Sequence, residues 1–273
     1  MPVINTNVNA LFAQSSLKVN SRNLSQAMQQ LSSGSRINSA ADDAAGLAIG
    51  QTMTAQIRGL TQAVRNANDG ISMLQTAEGS MNEQSNILQR MRELAVQAST
   101  ATYSSTQRGY LQTEFSALSS QLGNIASQTT WNGIQILDGT GGTSGAFNIQ
   151  VGAVSGQTIT VTIHSVTVSG LGVTGSISTA SGASSVITNI NSALDTLNSA
   201  RATIGAGVNQ LTYAADNLTN VITNYSNSRS QVMDTDYATA TTQLAKSQII
   251  QQAATAMLAQ ANQAPQSVLA LLK

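Results

Sequence analysis

Charge and cysteine content limit the chemistry that this chain can carry out. Its 273 residues have a formal net charge of zero, with 9% charged and 3% aromatic, whereas about 25% of a typical soluble domain is charged. The chain has no cysteine and one histidine, His164. Disulfides, thiolate metal sites and sites with several histidines are therefore excluded, and a Ser-His-Asp triad would need His164 as its base. Zero net charge argues against a nucleic-acid partner, and no cofactor is expected.

Hydropathy gives no sign of a membrane partner. No run of 18 consecutive apolar residues occurs in the sequence, so no membrane-spanning helix is expected. The N-terminal segment MPVINTNVNALF has neither the basic start nor the apolar stretch of a cleaved secretory signal peptide.

The first part of the chain predicts helices. A thin apolar stripe follows residues 5–35, and a stronger heptad repeat runs from Met53 to Leu88, with apolar positions continuing to Ala98. A turn is predicted at 99–105 and a further helix at 106–127, with Leu111, Phe115, Leu118 and Leu122 on one face. Helices with matching stripes can close one bundle core.

The middle of the chain changes period. No Asp, Glu, Lys or Arg lies between Gly139 and Leu194, and this stretch holds ten of the 21 glycines. Asn132-Gly133 is a turn signal, and alternating apolar residues at 147–151 and 159–163 predict two antiparallel strands. We expect a flexible surface loop at 169–184.

The last part predicts one long helix and a weaker one. Apolar residues recur at spacings of four and three from Ile190 to Val232, with Arg201 and Arg229 inside the repeat. A helix over 186–232 would be about 70 Å long, whereas a compact chain of this size would be about 50 Å across. The fold class predicted is therefore mainly α: an elongated coiled-coil or helical-bundle rod with a small β-hairpin region in the middle. Residues 238–272 carry only a thin stripe.

Two acidic pairs have a structural explanation. Asp42-Asp43 and Asp234/Asp236 could suggest acid–base or metal chemistry, but carboxylates at predicted helix starts complement the helix dipole. We expect the seam arginines to pair with acids such as Glu78 or Glu93. The chain is therefore predicted not to be an enzyme, and no catalytic, cofactor-binding or metal-binding residue is assigned.

Both ends of the sequence resemble the bacterial flagellins. At the N-terminal end the similarity lies in LSSGSRI (31–37), ADDAAGLAI (41–49), MTAQIRG (53–59), RNANDGIS (65–72) and QRMRELAVQ (89–97). At the C-terminal end it lies in DTDYA (234–238), AMLAQAN (256–262) and VLALL (268–272). It covers about 3–138 and 186–273, in the family's order. The sequence departs from the family in its short middle, at Ser35 and Ala41, and at 231–233.

The resemblance implies a subunit that self-assembles into the helical flagellar filament. It implies terminal coiled-coil arms at 1–40 and 235–273, which form the inner filament core and are disordered in the monomer. The helical outer-core domain would be 41–138 and 186–234, and the hairpin and surface loop 139–185. Apolar residues expected to act in arm assembly are Leu11, Leu17, Leu24, Leu31, Leu244, Ile249, Met257, Leu258 and Leu272.

Several partners are also implied by the resemblance. The chain would be secreted into the extracellular filament by type III export, with an export chaperone on the C-terminal arm, and would meet filament cap and hook-junction proteins. Arg90, Leu94 and Glu114 match the family residues that Toll-like receptor 5 reads, and they would also contact the next subunit. The alternative function is a hook–filament junction adaptor, which shares the terminal pattern.

Overall fold

The computed structural model describes residues 6–270, with side chains described as far as residue 263. These residues form five helices and two short antiparallel strand pairs, so the prediction of a mainly α fold with a small β-hairpin region is confirmed. The helices are α1 (Val8–Ser33), α2 (Ala44–Ser99), α3 (Ser105–Gln128), α4 (Ala180–Met233) and α5 (Tyr237–Ala270). The strands are β1 (Thr130–Trp131), β2 (Ile134–Gln135), β3 (Ala146–Gln150) and β4 (Thr158–Thr162).

The chain divides into two compact units. The arm unit contains the residues up to Ala55 and those from Asn224 onward, and the central unit is Gln56–Thr223. Both α2 and α4 contribute residues to each unit. The boundaries expected from the sequence at residues 40 and 235 describe roles in an assembly, and they stay a prediction.

In the central unit, α2 and α4 bury residues at spacings of three and four. On α2 the buried residues of this repeat are Leu60, Ala63, Ala67, Gly70, Leu74, Ala77, Met81, Gln84, Leu88, Met91, Ala95 and Ala98. On α4 they are Ala183, Val186, Ile190, Ala193, Leu197, Ala200, Ile204, Gly207, Leu211, Ala215 and Leu218. The repeat is that of helices packed in a bundle, and α2 and α4 are antiparallel, because Arg92 bonds Asn191 and Glu78 lies near Arg201.

Three of the predicted seam positions on α4 are displaced by one residue. Ile190, Leu197, Ile204 and Leu211 are buried as expected, but Leu194, Arg201 and Val208 are only half-buried. Their places are taken by the small residues Ala193, Ala200 and Gly207. At Gly207 the reason is that Val161 of the β3–β4 hairpin packs there.

The β3–β4 hairpin lies in spaces left by glycines. Its register pairs Phe147 with Val161 and Ile149 with Ile159. A Cβ on Gly70 of α2 would lie 2.5 Å from Ile149 Cδ1, and one on Gly207 of α4 would lie 2.9 Å from both Val161 methyl carbons. The hairpin therefore packs on the helices. Gly207, expected from its helix propensity to weaken α4, instead admits a strand residue into the core.

Local signals explain the turns. Ser104 and Gln107 form a capping box that starts α3, and the Arg108 guanidinium donates to the carbonyls of Ala98 and Thr100, which closes the α2–α3 turn. Asn132 and Gly133 have φ values of 49° and 79°, as a type I′ hairpin requires. The predicted turns at 99–105 and 132–133 are therefore confirmed.

The expectation of a flexible surface loop at 169–184 is wrong. Leu171, Val173 and Ile177 are buried in the core of the central unit, and α4 already begins at Ala180. In this segment the apolar residues are interrupted by glycine and serine and follow neither the helix nor the strand period. The sequence pattern therefore did not indicate that these three residues are buried.

One buried amide ties three segments of the central unit together. Gln84, fully buried on α2, donates from Nε2 to the carbonyl oxygens of Leu122 on α3 (3.4 Å) and Val166 (3.1 Å). Its Oε1 has no hydrogen-bond partner in the described part of the chain. The amide fixes the 166 segment against the bundle, at the energetic cost of one unpaired buried acceptor.

Two neighbouring glycines of α4 should respond oppositely to alanine. A Cβ on Gly205 meets nothing within 4 Å, so Gly205→Ala should raise the free energy of unfolding by about 1 kcal/mol through helix propensity. Gly207→Ala gains the same propensity but presses on Val161, and overpacking costs about 1–3 kcal/mol. Thermal unfolding of the full-length variants, followed by circular dichroism, measures the difference. Equal stabilisation by both substitutions would contradict the packing of the hairpin on α4.

Candidate assembly surface

The arm pair, α1 and α5, consists of two antiparallel helices joined by asparagine side chains. Asn20 Nδ2 donates to the carbonyl of Ser247 at 2.7 Å, and Asn7 Nδ2 donates to the carbonyl of Ala261 at 2.7 Å. Asn7 also caps α1 by accepting from the Ala10 N–H. These bonds join residues 227 and 254 positions apart, so the two ends of the chain meet along the arm pair.

Each helix of the arm pair turns one heptad stripe towards the other. The less exposed positions on α1 are Ala10, Ala13, Leu17, Asn20, Leu24, Ala27 and Leu31. Those on α5 are Ala240, Leu244, Ser247, Gln251, Ala254, Leu258 and Ala261. This is the spacing of a two-stranded coiled coil. The stripes are rich in alanine and hold two of the three buried polar residues found among the described residues, Asn20 and Ser247.

The residues expected to act in arm assembly fall into two groups. Leu17, Leu24, Leu31, Leu244 and Leu258 are half-buried in the seam of the arm pair. Leu11, Ile249 and Met257 face outward with exposed fractions of 57%, 66% and 65%. Leu272 lies outside the described residues. The apolar residues of the two arm helices thus fall into a seam and a separate exposed set. The sequence spacing alone does not distinguish the two sets.

A groove of about 670 Å³ runs along one side of the arm pair. We call it the side groove. It is lined mainly by apolar side chains, with a few amides and one hydroxyl. The lining residues are Asn9, Phe12, Ala13, Ser16, Ile250, Ala253, Ala254, Met257, Gln260 and Ala261. Phe12 lines this groove, and 76% of its surface is exposed. An exposed apolar surface of this kind is typical of protein–protein contacts.

Backbone pairing joins the two segments at the base of the arms, which we call the arm junction (34–36 and 232–235). The Arg36 N–H donates to the Met233 carbonyl at 2.7 Å, and the Thr235 N–H donates to the Gly34 carbonyl at 2.9 Å. Arg36 Nη2 adds a bond to the Val232 carbonyl at 2.7 Å. This role of Arg36 is not visible in the sequence, because no local pattern shows which backbone carbonyls a distant arginine reaches.

Asp43 and Asp236 cap helix starts, whereas Asp42 stabilises the turn that precedes α2. Asp43 accepts from the Gly46 N–H near the start of α2. The N–H groups of Ser39 and Asn38 hold the pKa of Asp42 below its ordinary value. The Thr239 hydroxyl (2.7 Å) and the Ala238 N–H (3.0 Å) donate to Asp236 and lower its pKa. The carboxylates of Asp43 and Asp236 thus hold the starts of α2 and α5 in place.

Arg90 and Glu114 form an exposed ion pair on the central unit. Arg90 Nη2 lies 2.9 Å from Glu114 Oε1, and its Nη1 lies 3.0 Å from Glu93 Oε2. Both carboxylates raise the pKa of Arg90 further, Glu114 most. Leu94, one turn along α2, has 1% of its surface exposed. The three residues predicted to form a receptor-facing group are thus two surface charges and one core leucine.

The seam arginines differ from each other. Arg201 Nη2 lies 3.7 Å from Glu78 Oε1, as the sequence analysis suggested, although a partly exposed pair at this distance adds little stability. Arg229 is half-buried and has no ion pair among the described residues. Glu93 pairs with Arg90 instead.

The described residues offer neither a metal site nor a membrane span. No group of three His, Cys, Asp or Glu side chains between residues 6 and 263 is arranged to hold a metal ion. No helix in the described part of the chain combines the length and apolarity needed to cross a bilayer.

Comparison with known families matches both ends of the chain. Residues 4–141 match the profile of the bacterial flagellin N-terminal helical region, and residues 187–272 match that of the bacterial flagellin C-terminal helical region. The unmatched segment between them includes the β3–β4 hairpin and its loops.

Individual relatives differ mainly in length. A flagellin of Halalkalibacterium halodurans is 42% identical over 274 positions, which is 99% of this chain and 100% of the relative. Flagellin B of Vibrio cholerae is 49% identical over 160 positions, but the match covers 59% of this chain and 42% of the relative. The crystal structure of Bacillus cereus flagellin superposes with a TM-score of 0.51 at 33% identity, covering 56% of this chain and 88% of that one.

The cap at Asp236 predicts an acid response at the start of α5. The lowered pKa of Asp236 means that the stabilisation by its carboxylate is complete above the ordinary value of 3.8 and is lost as pH falls through the lower folded value. Asp236→Asn should therefore speed amide exchange in residues 237–245 at pH 7, and the difference from the parent chain should shrink as pH falls below 3.8 through the lowered pKa of Asp236.

Hydrogen exchange read by mass spectrometry checks this prediction. Asp216→Asn is the matched control, because Asp216 is exposed on α4 and makes no hydrogen bond among the described residues. A difference that does not shrink as pH falls further and further below 3.8 would show that the carboxylate charge is not what holds the helix start.

Proposed function

Because the chain belongs to the bacterial flagellin family, we propose that it is a structural subunit that self-assembles into the helical flagellar filament, outside the cell, and serves motility without catalysing a reaction. The observation that carries this proposal is the pairing of the two chain ends in an arm pair that leaves an apolar side groove uncovered. The relative that aligns over its whole length is itself a flagellin, which favours filament subunit over junction adaptor.

The proposed assembly surface follows from what the arm pair leaves exposed. Leu11, Ile249 and Met257 face away from the seam, so pairing α1 with α5 does not remove them from water. Burying them against further copies supplies a hydrophobic driving force. A contact between unlike surfaces that does not close on itself produces an open helical polymer.

We assign three segments of the chain to layers of that polymer, as the family resemblance implies. Residues 1–40 and 235–273 would form the inner core, 41–138 and 186–234 the outer core, and 139–185 the outermost face. The charge-free middle packs its apolar strand residues Ile149 and Val161 onto α2 and α4, and its remaining polar side chains suit a solvent-facing position.

Further partners belong to this proposal. An export chaperone would cover the apolar face of the C-terminal arm before assembly, since Ile249, Ile250 and Met257 are exposed on α5. Type III export, and contacts with cap and hook-junction proteins, follow from the family rather than from any contact of this chain.

Assembly should depend on the outward apolar residues of α5. Met257→Asn leaves the seam untouched but removes an apolar side chain from the side groove, so the critical concentration for polymerisation should rise about tenfold, as loss of ~1.5 kcal/mol of burial requires. Val154→Asn is the matched control, since Val154 is also exposed and apolar but lies in the β3–β4 loop. Electron microscopy and sedimentation of salt-induced polymers measure both variants.

Deleting residues 240–273 tests the same proposal more severely. The truncated chain retains every buried residue of the central unit, so it should stay folded and soluble yet form no filament. Filaments grown from it, or an unchanged critical concentration for Met257→Asn, would refute assembly through the arms.

Recognition by Toll-like receptor 5 is proposed for the Arg90–Glu114 surface. Arg90 is held by two carboxylates while about half its side chain remains exposed, so its guanidinium is positioned for a partner. Leu94, being buried, would act by holding this part of α2 in place.

Two substitutions distinguish a side chain that contacts the receptor from one that only holds α2 in place. Arg90→Ala should reduce receptor signalling at least tenfold without changing the unfolding temperature, whereas Leu94→Ala should lower the free energy of unfolding by about 2–5 kcal/mol. A receptor reporter assay with the purified chain measures signalling, and Arg92→Ala on the same helix is the control. Unchanged signalling by Arg90→Ala would refute recognition at this surface.

A further inference from the structure

The methionines of the chain include a protected group and an exposed group. Of the eight methionines, Met73, Met81 and Met91 are buried in the core of the central unit. Met28 on α1 and Met257 on α5 have 55% and 65% of their surface exposed. Both exposed methionines lie in the arm pair, so an oxidant dissolved in water reaches their side chains without any opening of the fold.

Met257 differs from Met28 in lining the side groove. It shares this groove with Phe12 and Ile250, which are also exposed apolar residues. The next residue along α5, Leu258, belongs to the seam, whereas Met257 faces away from it. A change in the polarity of Met257 therefore alters the groove and leaves the pairing of α1 with α5 in place.

Peroxides oxidise an exposed methionine without help from other protein groups. The thioether sulfur attacks one peroxide oxygen, the O–O bond breaks and an S–O bond forms. The second oxygen leaves as hydroxide and takes the proton of the transferred oxygen to become water. Sulfur loses two electrons, which the peroxide gains. The product, methionine sulfoxide, is polar and chiral where the thioether was apolar, and burying a polar group without a hydrogen-bond partner costs free energy.

We propose that Met257 is a site of peroxide modification, and that its sulfoxide prevents the side groove from being buried against another copy of the chain. This inference rests on the proposed assembly through the arms. The core methionines of the central unit are shielded from the oxidant, so the modification changes assembly and leaves that unit folded. Because assembly covers the groove, Met257 is reactive in the free chain and protected in the polymer.

Two half-buried methionines of the arm unit have to be distinguished from Met257. They are Met53 and Met233. A Cβ on Gly50 would lie 2.5 Å from the Met233 sulfur, so this sulfur packs against α2. Substituting Met257 alone separates oxidation in the groove from oxidation at either of these positions.

Peptide mapping by mass spectrometry measures the reactivity of each methionine after the full-length chain is treated with dilute hydrogen peroxide. Met28 and Met257 should gain an oxygen at least about tenfold faster than Met81 and Met91, whose oxidation requires local opening of the core. In chains that are already polymerised, Met257 should react about tenfold more slowly than in the free chain. Oxidation of Met257 no faster than that of Met81, or at one rate in polymer and free chain, overturns the inference.

Sedimentation of salt-induced polymers measures the effect of the sulfoxide on assembly. Peroxide treatment should raise the critical concentration of the parent chain about tenfold, as expected for a polar side chain at this position. Met257→Leu keeps an apolar side chain of similar volume and has no sulfur, so it should polymerise equally well before and after treatment. Met257→Gln, which is polar but has no thioether, should polymerise as poorly without treatment as the oxidised parent chain does.

Met28→Leu is the matched control, because it removes a methionine of similar exposure that does not line the side groove. Treatment should impair its polymerisation as it does that of the parent chain, and circular dichroism checks that the treated chains keep their helix content. Impaired polymerisation of treated Met257→Leu, or unchanged polymerisation of a parent chain oxidised at Met257, overturns the inference. An untreated parent chain that forms no polymer refutes the proposed function itself, and the assembly effect of the sulfoxide with it.

Discussion

Antiparallel pairing of the first half of the chain with the second is the constraint on which both units depend. In the arm unit it joins Asn7 to Ala261 and Asn20 to Ser247, and in the central unit it joins Arg92 to Asn191. Such contacts close loops of 227 and 254 residues in the arm unit and of 99 residues in the central unit before the seam offsets the lost entropy. The arm unit cannot be completed until nearly the whole chain is available, and the central unit needs the chain up to Thr223. That requirement suits a protein proposed to leave the cell unfolded and to fold where it assembles.

Small residues decide how the central unit is packed. A bundle of large seam residues alone would have no space for a third layer, but Gly70 and Gly207 admit Ile149 and Val161 between the helices. Helix propensity disfavours glycine at both positions by about 1 kcal/mol, so tertiary packing outweighs local preference there. The β3–β4 hairpin is therefore part of the core although it lies in the charge-free middle segment.

Much of the fold could be predicted from periodicity, because the heptad repeat is a property of each helix alone. The buried positions of Ile190, Leu197 and Ile204 followed directly from it. What depends on a second segment could not be predicted: the burial of Ala200 in place of Arg201, and the burial of Ile177 in an expected loop. At the candidate site, Leu17 and Met257 have the same apolar character, yet only the pairing of α1 with α5 assigns one to the seam and the other to the side groove.

The loop that joins β3 to β4 has a consequence for how such chains vary in length. The Val151 N–H bonds to the Gln157 carbonyl at 2.9 Å, so the loop leaves the hairpin and returns to it at nearly the same point. Ile149 and Val161, which pack on α2 and α4, lie on either side of this loop, although Ala153 within it also lies against Gly59 of α2. A folded domain with neighbouring termini could be inserted between residues 154 and 156, where Val154 is exposed and a Cβ on Gly156 would meet nothing within 4 Å, without displacing these side chains. The longer Vibrio cholerae relative and this short chain could thus share the same helices and differ in the size of the segment inserted at this loop.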